Sequence, residues 1–102
     1  MIVPAEQGRL TEAREHYRRA AEMWDELLGP HQPRLATTLH NLAVVELALD
    51  RPAAAHGHVL AALEIWELSL GADSAQAQES RALRERVASR LNGDHGESVP
   101  AR

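Results

Sequence analysis

Apolar residues recur along this chain at helical spacing. Leu10, Ala13, Tyr17, Ala20, Trp24 and Leu27 follow one another at intervals of three and four, which places them on one face of a helix. Glu12, Arg14, Glu15, Arg18, Arg19, Glu22 and Glu26 fall mostly off that stripe and form a charged face with favourable pairs one turn apart. Thr11 or Gly8 can open this helix, Gly29 can close it in the left-handed conformation, and Pro30 confirms the stop. Pro33 suits the first turn of a second helix, where its missing N–H costs nothing. That helix is apolar almost all round (Leu39, Leu42, Ala43, Val44, Val45, Leu47, Leu49), so it needs neighbours on more than one side. Asp50-Arg51-Pro52 turns the chain into a third stripe of Ala55, Val59, Ala62, Trp66 and Leu70, weakened at Gly57 by about 1 kcal/mol relative to Ala. After Gly71, Asp73 can cap a fourth helix with a single apolar face of Leu83, Val87 and Leu91, a suitable solvated end for a stack. The pattern predicts an all-α domain over 8–91 with helices at about 9–28, 33–49, 53–70 and 74–91. It also predicts a remnant of a truncated helix over 1–7 and a disordered tail over 92–102.

The first and third stripes are copies of each other. AAEMWDELLG, Ala20 to Gly29, returns as ALEIWELSLG, Ala62 to Gly71, with the two tryptophans and the two glycines each 42 residues apart. Arg9 and Arg51, Ala13 and Ala55, Glu22 and Glu64, and Leu28 and Leu70 keep the same offset. Ile2 and Val3 then correspond to Val44 and Val45, and Pro4 falls where a helix would continue, so the first helix of the first pair is nearly absent.

Composition narrows the function classes. With 102 residues, the chain has the size of one domain with a modest core. Tyr17, Trp24 and Trp66 are its only aromatic residues, so that core is built from Leu, Val and Ala. A net charge of −4 argues against nucleic acid as a partner. The absence of cysteine rules out disulfides and thiolate metal sites. All 11 basic residues are Arg, which together with abundant Ala suggests a GC-rich bacterial genome. No apolar run reaches the roughly 18 residues needed to cross a bilayer. The opening MIVPAEQGR has neither a basic leader nor an apolar signal core, so a soluble cytoplasmic protein without membrane contact is expected.

Leu39, Leu42 and Ala43 in one helix, followed by Ala55, Val59 and Ala62 in the next, form a pattern that resembles the tetratricopeptide repeat. The preceding copy supplies Ala13, Tyr17 and Ala20. The 42-residue period and LGPHQPRLATTLHNLA are similar to the repeats of kinesin light chains and their bacterial relatives. The resemblance covers about residues 8 to 91 and implies antiparallel helix hairpins in a right-handed solenoid. It also implies a non-enzymatic interaction module, a bacterial regulator or scaffold, that binds a protein or peptide on its concave side. Carried onto this chain, the groove positions are Thr37, His40, Asn41, Val44, Leu47 and Ala48, with Asn41 able both to donate to and accept from a peptide backbone. Glu46 departs from the pattern where a bulky aromatic is usual, and Glu67 where a proline is usual.

The missing first helix leaves Leu10, Tyr17 and Trp24 as a candidate self-association face, so the alternative is a homodimer without a peptide ligand. The other explanation of the open end is that the chain is a fragment of a longer array. Catalysis has no sequence support, since no Gly-rich phosphate loop, H-E-x-x-H, G-x-S-x-G or cysteine nucleophile occurs. No cofactor is expected. His56 and His58 point in different directions on a helix, Glu12 with His16 makes only two ligands, and the six histidines are expected on the solvated surface rather than at a metal. Trp24 and Trp66, ending matching stripes, are expected to pack in the core.

Overall fold

The computed structural model describes residues 5–93, and every element in it is a helix. Four helices follow in order, α1 (Ala5–Leu28), α2 (Pro33–Ala48), α3 (Pro52–Ser69) and α4 (Ala75–Leu91). Local chemistry sets their limits. Pro33 and Pro52 each occupy the first position of a helix. Gly29 and Gly71 stand at φ 93° and 98°, a left-handed conformation that glycine adopts without steric cost, and their N–H groups bond back to Asp25 and to Trp66.

Several boundaries differ from the expectation. Thr11 and Gly8 lie inside α1, with the Thr11 hydroxyl donating to the carbonyl of Gln7, one turn back, at 3.0 Å. Residues 5–7, expected in a separate remnant, form the first turn of α1, whereas residues 1–4 and 94–102 lie outside the described residues. The cap of α4 is Ser74 rather than Asp73, its hydroxyl accepting from the Ala77 N–H at 3.1 Å.

Packing follows the all-round apolarity of α2. That helix lies against α1 on one side and α3 on another, and it also touches α4. Helix α3 is likewise held between α2 and α4, but among the described residues α1 touches α2 alone. One buried cluster joins Leu35 and Ala36 of α2 to Ala62, Leu63, Ile65 and Trp66 of α3 and Ala77 of α4, with Ala21, Trp24 and Leu39 packed against it. A second joins Ala43 and Leu47 to Ala55, Val59, Leu83 and Val87. The alanines at 36, 43, 55, 62 and 77 have no exposed surface, which brings the helix axes close together. Ser80 is also fully buried in α4, whereas Leu91, expected on its apolar face, is 42% exposed at the last residue of that helix.

Glu46 is buried beside the α2–α3 turn, at the position where the pattern calls for an aromatic. The Arg51 Nε donates to its carboxylate at 2.8 Å, and the His58 Nε2 stands 3.6 Å away. The Arg51 guanidinium, the nearby His58 ring and the backbone bond from Arg51 N–H to the Glu46 carbonyl let a carboxylate replace the aromatic ring.

Candidate interaction surface

Thr37, Asn41, Val44 and Ala48 recur at intervals of four, three and four, which puts them on one row of α2. The buried residues of α2 point elsewhere, and all four members of this row keep solvent access, Val44 at 39%. Beside the row runs α4. Its helix is tied to α2 by a contact of 3.0 Å between His40 Nδ1 and the Ser80 hydroxyl, and the Arg90 guanidinium donates to Asp50 at 2.7 Å where α2 ends. The two helices thus present neighbouring rows, Thr37, Asn41, Val44 and Ala48 on α2 and, on α4, Glu79 and Arg86 close enough to act on His40, with Arg90 bound to Asp50.

This strip offers recognition chemistry. The half-exposed Asn41 side chain has no hydrogen bond among the described residues, so its amide is free to donate and to accept. Val44 supplies an apolar contact at the centre. His40 is half-buried, and burial pushes its pKa below the ordinary value, with Glu79 opposing that shift and Arg86 adding to it. A hollow lined by Leu47, Arg86, Ser89 and Arg90 lies at the lower end.

One groove residue is corrected. Leu47 is 6% exposed and belongs to the cluster with Ala43, Val59 and Leu83, because its position faces the seam where α3 and α4 meet α2. It lines only the edge of the hollow. His40 joins α4 more than it faces solvent.

The residues expected to form the self-association face, Leu10, Tyr17 and Trp24, are each partly buried. Leu10 lines a hollow between the start of α1 and the end of α2, together with Glu6, Gln7, Ala48, Leu49 and Asp50. Trp24 packs on the first core cluster and carries the Arg34 guanidinium 5.4 Å from its ring centroid, and Tyr17 is half-buried. Leu10 and Trp24 are thus turned in part toward α2, the one neighbour α1 has among the described residues. Three of the six histidines depart from the solvated expectation, since His40 meets Ser80, His58 meets Glu46, and His56 Nδ1 is buried without a partner, whereas His16 and His31 are exposed and His95 lies outside the described residues. The seam contact of His40 went unseen in the sequence because Ser80 lies 40 residues away and no apolar pattern announces a buried hydroxyl. Among the described residues no three His, Asp or Glu side chains gather around a point where a metal would sit, and no helix is long and apolar enough to cross a membrane.

The sequence profile of the tetratricopeptide repeat matches residues 3–68, about two thirds of the chain. This chain belongs to the tetratricopeptide repeat family. The match includes α1, α2 and nearly all of α3. Helix α4 lies beyond it, yet packs on α3 as α2 packs on α1, so the repeat continues in three dimensions past the matched residues. No curated protein and no solved structure matches the chain. Repeats of this family generally mediate protein–protein interaction on a scaffold fold.

Proposed function

We propose that this chain is a non-enzymatic interaction module that holds a peptide or an extended segment of a partner protein along the α2–α4 strip, the concave side of a tetratricopeptide array. The observation that carries this reading is the row Thr37, Asn41, Val44 and Ala48, which keeps an unpartnered amide and an exposed valine on a helix otherwise covered from several sides. A backbone-satisfying amide flanked by an apolar contact and two arginines suits an extended chain, whose N–H and C=O groups need partners when they leave water. A cytoplasmic location and a place in a bacterial regulator or scaffold are part of the same proposal.

Selection of a random peptide library on the purified chain tests it. Recovered peptides are expected to lose at least about tenfold in affinity on Asn41→Ala, the scale of one buried hydrogen bond with its desolvation cost, and more on Val44→Asp. Equal binding by both variants, with unchanged helicity, overturns the assignment of the strip.

A further inference from the structure

The 42-residue repeat identifies which face of α1 is bare. On α3, the side turned to α2 is marked by His58 beside Glu46, by Ile65 at 3% exposure, and by Ser69, whose hydroxyl donates to the His31 carbonyl just ahead of α2. The corresponding residues of α1 are His16, Met23 and Leu27. All three are exposed, Met23 at 43% and Leu27 at 67%. Ala62 is fully buried, whereas its counterpart Ala20 is only half-buried. Among the described residues, α1 has no helix where α3 has α2.

We propose that this face pairs with the same face of a second copy, as an antiparallel two-helix seam. His16, Ala20, Met23 and Leu27 are spaced four, three and four, the spacing of the apolar positions in a coiled coil. In an antiparallel pair, Ala20 meets the partner's Met23 and His16 meets the partner's Leu27, each contact occurring twice. That register places Arg19 beside the partner's Glu26 on one flank, a pairing that also occurs twice. That flank is therefore complementary by charge. Glu26 has no ion pair among the described residues, and Arg19 is 70% exposed with only Glu15, at 3.3 Å, to meet it.

Head-to-tail stacking of copies is disfavoured by the other end of the molecule. The α2 residues that pack into the core beside α3 are Ala36, Ala43 and Leu47, and their counterparts in α4 are the exposed Gln78, Glu85 and Ser89. The outer side of α4 is polar and does not offer α1 the surface that α2 offers α3. An isologous pair through α1 covers both bare faces and closes on itself. Its seam spans about 16 Å of helix, so the dimer belongs with small, weak interfaces.

Sedimentation velocity on the full chain, across the micromolar to sub-millimolar range, decides the matter. The weight-average mass is expected to rise from the 11.2 kDa of one chain toward twice that value. Met23→Glu is expected to abolish the rise, Arg19→Glu to weaken association about tenfold, and Arg19→Glu with Glu26→Arg to restore it. All these positions are exposed, and circular dichroism at low concentration checks that each variant folds. A chain that stays at 11.2 kDa throughout, a dimer that survives Met23→Glu, or a charge swap that fails to restore pairing overturns the proposal. So does a monomer whose α1 instead takes up a synthetic Pro33–Ala48 peptide, which would assign the face to a further repeat helix.

Discussion

Replacing Ile65 and Met23 separately by alanine perturbs two positions that share one place in the repeat and differ in what covers them. Ile65 is 3% exposed, in the cluster with Leu35, Ala36 and Trp66, whereas Met23 is 43% exposed on α1. Truncating Ile65 removes about three methyl or methylene groups from a site sealed by α2, worth about 0.8 kcal/mol each. The unfilled cavity adds about 1 kcal/mol, and the better helix propensity of alanine returns about 0.4. The net loss is about 3 kcal/mol. Truncating Met23 removes a similar number of groups, but nearly half of the side chain is already in water and solvent fills the space, so about 1 kcal/mol is lost at most. The expected difference of about 2 kcal/mol is read by urea unfolding followed by far-UV circular dichroism, at concentrations too low for self-association. On heating, it separates the two midpoints by about 10 °C for a domain of this size. Two variants equal to within about 0.5 kcal/mol would refute the claim that α3 is enclosed where α1 is bare.

Ser74→Ala removes the hydroxyl that caps α4 and is expected to cost about 1 kcal/mol in the same unfolding assay, whereas Asp73→Ala costs little. Arg51→Ala leaves the buried Glu46 carboxylate with only the more distant His58, an expected loss of about 1–2 kcal/mol that is limited by the half-exposed guanidinium. Gly29→Ala and Gly71→Ala each force an L residue to positive φ in open space, and each should lower stability by about 1 kcal/mol for purely conformational reasons. Burial favours the neutral form of His40, so the folded chain binds this proton less readily than the unfolded chain does. Its contribution is intact above about pH 6.5 and is lost as pH falls through the lowered folded value. His40→Gln should flatten the decline in thermal midpoint between neutral pH and about pH 5. The carboxyl of Glu15, lowered by its bond from Arg18, titrates below its ordinary 4.5 and stays outside that window.

Two kinds of information were legible in different places. Helix existence and order could be read from the chain, because three- and four-residue apolar spacing, prolines at first positions and glycines at last ones are local signals whose physics does not depend on distant neighbours. The repeat register was equally legible, since identities at a fixed offset need no coordinates. Helix starts without such a marker were less certain. Helix α1 runs back to Ala5 past two candidate caps, and Thr11 satisfies its hydroxyl on the preceding turn instead of opening the helix.

What the chain alone determined, then, is four amphipathic or apolar helices repeating every 42 residues, the family they belong to, and an interior of alanine and leucine. Burial depends on how many neighbours a helix finds, and only the tertiary structure decided that. The same repeat position is sealed as Ile65 and open as Met23, Leu47 turns into the core rather than along the strip, and Glu46 becomes buried through partners five and twelve residues away. A periodic pattern states which side of a helix is apolar. Which side is covered follows from the packing of whole helices, a property no single stretch of sequence carries.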